Sequence, residues 1–309
     1  MTLARIVPAI ALLAVSCVGN QNQDTENAPG ARTGQPLTTT SPSTTSTRTS
    51  SETRTAYDFQ NPEVSFALPD ELHEISGLTA LEDGRLAAIQ DEEGILFILN
   101  GETGSIEATY PFGDDADYEG VERVDDRIFI LRSNGTIFEL TNWDDSEIDV
   151  RTHETDLKGR NDTEGLGYDA ASGRLLIACK EDPGSDLDDD VRAIYAYDFE
   201  TGDLSSEPWL QIDLGQVEER LGGSGKGNFK PSAVAVHPTS QEVYVLSAND
   251  KALAVIDSDS RIVHVTPLDG DIFQQPEGLA FLPDGTLFIS SEGGGGSAML
   301  SRFSFQPTN

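Results

Sequence analysis

The chain has 309 residues, a net charge of -34 and a pI near 4.1. With 20 Lys and Arg against 54 Asp and Glu, it lacks the clustered cations that bind phosphate backbones, so nucleic acid is excluded as a partner and anionic lipid surfaces are disfavoured. Divalent cations and cationic ligands are favoured instead.

The N-terminus reads MTLARIVPAIALLAVSC. Arg5 gives a short positive segment, and residues 6–15 form an apolar stretch too short to span a bilayer stably. The small residues before Cys17 resemble a bacterial lipobox. That pattern implies a lipoprotein-type signal over residues 1–17, export to the cell envelope, and membrane attachment through a lipid on Cys17. An ordinary signal peptide with an incidental Cys is the alternative. Residues 18–56 carry almost no large apolar side chains and include a Ser/Thr run at 38–47. Such a segment cannot bury enough surface to offset its ordering entropy, so a disordered tether is expected, with a folded domain over 57–309. The second cysteine, Cys179, sits in an apolar run and is expected to be a buried small hydrophobe.

From there on, short β-type runs alternate with Gly, Asp and Asn turns, and no long helical periodicity intervenes. The first unit opens at Glu74-Ile75-Ser76-Gly77-Leu78, with strands expected at 85–90, 95–99 and 105–110. The second opens at Tyr118-Glu119-Gly120-Val121, with strands at 127–131, 136–140 and about 148–153. The third opens at Thr163-Glu164-Gly165-Leu166, with strands at 174–179, 193–199 and 209–214. The fourth opens at Pro231-Ser232-Ala233-Val234, with strands at 242–246, 252–256 and 262–267. The fifth opens at Gln275-Pro276-Glu277-Gly278-Leu279, turns at Pro283-Asp284-Gly285, and continues at 286–292 and 298–305.

With Leu78, Val121, Leu166, Val234 and Leu279 taken as equivalent, the steps are 43, 45, 68 and 45 residues. Units of this size match the four-stranded blades of a β-propeller. Five blades are expected, six being the alternative if the long step hides irregular strands. That step contains the insertion 215–229, with a helical-looking 216–221 and a Gly-rich 222–227. The fifth unit runs out of chain before its fourth strand. Residues 63–68 have no other partner, so they are expected to supply it and close the ring.

Propeller geometry puts the starts of the first strands and the ends of the second strands on one face, around the channel mouth. Those positions are Glu74, Ser76, Glu119, Glu164 (after Asn161), Ser232 and Glu277, then Asp91, Arg132, Lys180, Asn249 and Glu292. Converging carboxylates repel unless a cation, proton or base neutralises them. Oxygen donors without His favour Ca²⁺ or Mg²⁺. The candidates are therefore Glu164, Glu277 and Asn161 for a metal such as Ca²⁺, and Glu74, Asp91, Glu119, Arg132, Lys180, Asn249 and Glu292 for a ligand. The competing reading is that each repeated Glu accepts backbone N–H groups and braces neighbouring blades. The acidic loop 186–190 lacks the Gly and distal Glu of an EF-hand. Residues 222–227 lack P-loop spacing. His73, His153, His237 and His264 lack metal-ligand spacing, and no G-x-S-x-G elbow is present.

The unit openings, together with Asp117 ahead of Tyr118 and Lys230 ahead of Pro231, resemble the SdiA-regulated (YjiK-like) family of bacterial envelope proteins over about 66–305. The resemblance implies a β-propeller and carries no catalytic assignment. A more distant similarity to calcium-dependent lactonase and phytase-type propellers implies acidic residues and Asn about a central metal, by analogy only. Three functions follow as expectations. The first is a lipid-anchored envelope propeller binding a small ligand with a divalent cation at the acidic mouth. The second is a metal-dependent hydrolase of esters, lactones or phosphates with Glu74 as base. The third is a scaffold for another envelope protein.

Overall fold

The computed structural model describes residues 56–145, 147–223 and 228–306. The expected signal with Cys17, the tether up to residue 55, and residues 224–227 of the Gly-rich insertion lie outside the described residues. Among the described residues no helix is long and apolar enough to cross a membrane.

The chain enters at β1 (Val64–Ala67). Blade one runs through β2 (Ile75–Ala80), β3 (Arg85–Gln90), β4 (Ile95–Asn100) and β5 (Ile106–Pro111). Blade two is β6 (Tyr118–Val124), β7 (Arg127–Arg132), β8 (Ile137–Thr141) and β9 (Asp149–His153). Blade three is β10 (Thr163–Asp169), β11 (Arg174–Cys179) and β12 (Val191–Asp198), with its outer edge split into β13 (Asp203–Leu204) and β14 (Leu210–Asp213). Both pieces pair with β12. The helix α1 (Leu214–Arg220) follows, starting two residues before the expected 216 because the Asp213 carboxylate caps it, accepting from Gln216 N at 2.9 Å. Blade four is β15 (Ala233–Val236), β16 (Val243–Ser247), β17 (Ala252–Ile256) and β18 (Ile262–Pro267). Blade five is β19 (Gln275–Phe281), β20 (Leu287–Glu292) and β21 (Met299–Phe303).

Its fourth strand is β1, paired antiparallel to β21 from Val64↔Arg302 to Ala67↔Met299. The fold is therefore the expected five-bladed propeller, closed by the strand expected to close it. Ahead of β1, Tyr57 and Phe59 pack into the wedge between blades four and five, where the Tyr57 hydroxyl donates to Gly285 O at 2.6 Å.

The core is five apolar wedges, each shared by two adjacent blades. Cys179 belongs to one of them. Burial pushes its thiol up to about 12, so it packs as a hydrophobe rather than reacting. A buried polar string links the outer parts of blades two and three. Glu139 Oε2 contacts His153 Nε2 at 2.7 Å, and His153 Nδ1 contacts the Tyr197 hydroxyl at 3.0 Å.

The recurrent Gly of the unit openings has a packing reason. The inner strands β2, β6, β10, β15 and β19 crowd one another about the axis. A Cβ on Gly77 would lie 3.0 Å from Val121 N, one on Gly120 2.7 Å from Leu166 Cβ, one on Gly165 3.0 Å from Val234 N, and one on Gly278 2.8 Å from Leu78 Cβ. Each Gly thus abuts the Leu or Val that opens the next blade. Gly120→Ala is expected to cost about 1–3 kcal/mol in chemical denaturation, the usual range for overpacking. Gly159→Ala, with nothing within 4 Å, is the neutral control.

Candidate functional site

The same short stretch of each inner strand carries the candidate chemistry. Register shifts fall between Ile75 and Gly77, Tyr118 and Gly120, Thr163 and Gly165, and Pro276 and Gly278. The extra residue at each bulge is Ser76, Glu119, Glu164 or Glu277. A bulge leaves its residue out of the ladder and re-aims its side chain. Ser232, just ahead of β15, holds the corresponding place in blade four.

The serines and the glutamates then diverge. Ser76 Oγ donates to Tyr118 O of the next blade at 2.7 Å, and Ser232 Oγ donates to Pro276 O of the next blade at 2.7 Å. These two residues brace blades. Among the described residues no backbone N–H donates to Glu119, Glu164 or Glu277. Glu164 takes the Lys180 ammonium on Oε1, while its Oε2 is buried with no hydrogen-bond partner.

Crowding of carboxyls out of water sets the electrostatics. Burial first, then the charges of Glu164 and Asp117, pushes Glu119 up to about 10. Burial, with Glu164 and Glu292 next, holds Glu277 well above the carboxylate range. Glu164 is raised by burial to about 7, against the lowering effect of Lys180. Burial alone would lower Lys180, but the Glu164 charge and hydrogen bond carry it above its ordinary value.

Around these lie the rim residues. Asp91, at the end of β3, has Oδ1 buried without a partner and is pushed up to about 6 by burial, then by Glu74 and Glu92. Glu292, at the end of β20, is raised to about 7 by burial, then by Asp91 and Glu74, and accepts from the Gln275 amide. Glu74 is exposed just ahead of β2. Arg132 ends β7, half-buried, and its carbonyl accepts from Thr163 Oγ1 at 2.9 Å. Asn161 is buried, with both ends of its amide in use: Oδ1 accepts from Lys158 N at 2.8 Å, and Nδ2 donates to Asp182 O at 2.8 Å. It shapes the loop that leads into Glu164.

Lys180, Asn249 and Glu277, from blades three, four and five, meet around a cavity of about 390 Å³. Ala248, Lys251, Gln274 and Gln275 complete its wall, four residues not expected at the site from sequence. Below the bulges the channel is closed. The inner-strand glycines and the Leu and Val after them leave a void of only about 10 Å³. The mouth is therefore a cup rather than a pore.

The sequence profile of the SdiA-regulated family matches residues 63–294. The chain belongs to the SdiA-regulated family. No curated protein matches it in sequence. Among solved structures, the glutaminyl cyclase of Myxococcus xanthus is similar at 13% identity with a TM-score of 0.54, covering 81% of this chain and 97% of that one. A luciferin-regenerating enzyme follows at 12% identity and a TM-score of 0.49, covering 79% and 95%. The aldose sugar dehydrogenase of Streptomyces coelicolor, in its PQQ-bound form, has 11% identity and a TM-score of 0.48, covering 79% and 97%. At 13% identity the likeness to the cyclase speaks to the fold alone. Oxygen donors with raised affinity for positive charge can hold a cation, and carboxyls near 7 can exchange protons at neutral pH.

Proposed function

We propose that this SdiA-regulated protein is an exported propeller, held at the envelope by a lipid on Cys17, that binds a small ligand at its acidic mouth through a positive centre. Calcium is the ion that best suits the donor set, which is all oxygen and free of His. The observation that carries the reading is Glu164 Oε2, buried and unpaired beside two further carboxyls, Glu119 and Glu277, that burial has raised. Glu119, Glu164 and Glu277 would hold the ion. Among the described residues no three acidic or imidazole groups already stand in metal-ligand geometry. A cation entering there would compete with the Lys180 ammonium for Glu164. Lys180, Asn249 and the amides around the 390 Å³ cavity then face the rest of the ligand.

Thermal melts in EDTA and in excess Ca²⁺ test this. The native protein is expected to gain about 2–3 kcal/mol at a hundredfold excess over Kd. Glu164→Gln and Glu277→Gln, made singly, are expected to lose most of that gain. An unchanged melting temperature rejects the cation and favours a scaffold for another envelope protein.

A second reading, acid–base hydrolysis, is favoured by Glu164 and Glu292 standing near 7. Turnover of an ester, lactone or phosphate in the presence of Ca²⁺, lost in Glu164→Gln, would establish it. Absence of turnover alongside calcium binding leaves the binding role.

A further inference from the structure

The opposite mouth of the closed channel holds a separate cavity of about 340 Å³, lined by all five blades. Its origin can be read along the inner strands. One residue past the Leu or Val that opens each blade stand Thr79, Glu122, Gly167, Ala235 and Ala280. Four of the five are small: Thr79, Ala235 and Ala280 line the cavity, and Gly167 makes room for the Val234 carbonyl. The fifth is a glutamate.

Glu122 is held on one side only. Its Oε1 accepts from Thr79 Oγ1 at 2.8 Å and from Arg123 N at 2.9 Å. No described group bonds Oε2. The Arg123 guanidinium, which also lines the cavity, donates from Nη2 to Glu82 at 2.9 Å rather than to Glu122. Glu82, Arg123 and Gln241 also reach the cavity, and the rest of its wall is mainly apolar, with Leu81, Val236, Leu279 and Phe281 in it. Burial pushes Glu122 up to about 7, against the lowering effect of the Thr79 and Arg123 hydrogen bonds and of the Arg123 charge. A carboxylate with one free oxygen accepts hydrogen bonds and attracts positive charge, and its apolar surroundings shed water onto an apolar body. A volume near the lower end of the ~300–1,000 Å³ range of ligand pockets suits a small molecule.

We propose that this cavity is a second ligand site, specific for a small primary amine on an apolar body, with the ammonium on Glu122 Oε2 and the body against Leu279 and Phe281. It shares no residue with the acidic mouth, so it stands or falls independently of the calcium reading.

The probe is 2-phenylethylammonium, titrated calorimetrically into native protein at pH 8, where Glu122 is ionised. Saturable binding at one site is expected. 2-Phenylethanol, with the same body and a neutral hydroxyl, is expected to bind about tenfold more weakly or worse, the scale of a ~1.4 kcal/mol loss. Glu122→Gln, checked for folding by its melting curve, is expected to weaken the amine by a similar factor. Glu277→Gln, on the other mouth, is expected to leave it unchanged. The proposal is overturned by no saturable binding to native protein, by equal binding of the alcohol, by equal binding to a folded Glu122→Gln, or by loss in Glu277→Gln.

Discussion

Replacing Glu119 by Gln is expected to make the protein more stable at pH 8 and to leave it nearly unchanged at pH 5. Most carboxylates behave the other way, so the sign decides. An ordinary Glu titrates near 4.3 in an unfolded chain, whereas burial and the neighbouring Glu164 and Asp117 push Glu119 up to about 10. A carboxyl with a raised folded-state pKa binds more protons in the native state than in the unfolded one. Its contribution is fully present below about 4.3 and is lost as pH rises towards 10. Glu164 and Glu292 act in the same direction over a narrower window that closes near 7. At about 1.4 kcal/mol per pKa unit, discounted for relaxation and residual solvent, Glu119→Gln should gain roughly 2 kcal/mol or more at pH 8. For a domain of this size that is about 4–8 °C in Tm. The same substitution is expected to weaken calcium binding, which is the usual exchange of stability for function at a site. A Glu119→Gln melt identical to native at pH 8 would show that the carboxyl is not crowded.

Removing residues 1–68 is expected to abolish cooperative folding, while removing residues 1–55 is expected to leave the melt unchanged. The longer deletion strips β1 from β21 and bares the backbone of Met299–Phe303, an unpaired edge that invites association between chains. It also removes Tyr57 and Phe59 from the wedge between blades four and five, and Leu68 from the wedge between blades five and one. Losing a buried aromatic alone typically costs about 3–5 kcal/mol, and this deletion loses two along with a strand. Circular dichroism melts and size-exclusion chromatography check both truncated chains. A cooperative, monomeric product from the longer deletion would contradict closure through the N-terminus.

The architecture was legible because it rests on period and on what the chain runs short of. The Leu/Val positions at near-equal steps marked the blades, and the stranded residues 63–68 had only one edge to fill. The bulges were not legible, since they are register events between two strands, and one strand read alone shows no register. A trace was present, however. The Gly that follows Ser76, Glu119, Glu164 and Glu277 reflects close approach of the next blade, and the residue before it is the one extruded. Ser76 and Ser232, grouped with the acids by position, turned out to be the blade braces. Asn161 shows the limit from the other side, because a loop-shaping amide and a metal-ligand amide read identically in sequence. The split edge of blade three was missed for a simpler reason: two residues, Asp203–Leu204, are too few to show alternation. Glu122 stood out only once the small residues at its register were aligned by the fold.

The most direct measurement is a calorimetric titration of Ca²⁺ into the native protein at pH 7.5, repeated in two buffers of different ionisation enthalpy. If the mouth holds a cation in place of protons, binding is saturable at one site and the apparent enthalpy depends on the buffer, because raised carboxyls release protons as the ion enters. Both effects should vanish in Glu164→Gln. No saturable heat, or a binding heat that is the same in both buffers and survives Glu164→Gln, would contradict a cation site at the acidic mouth.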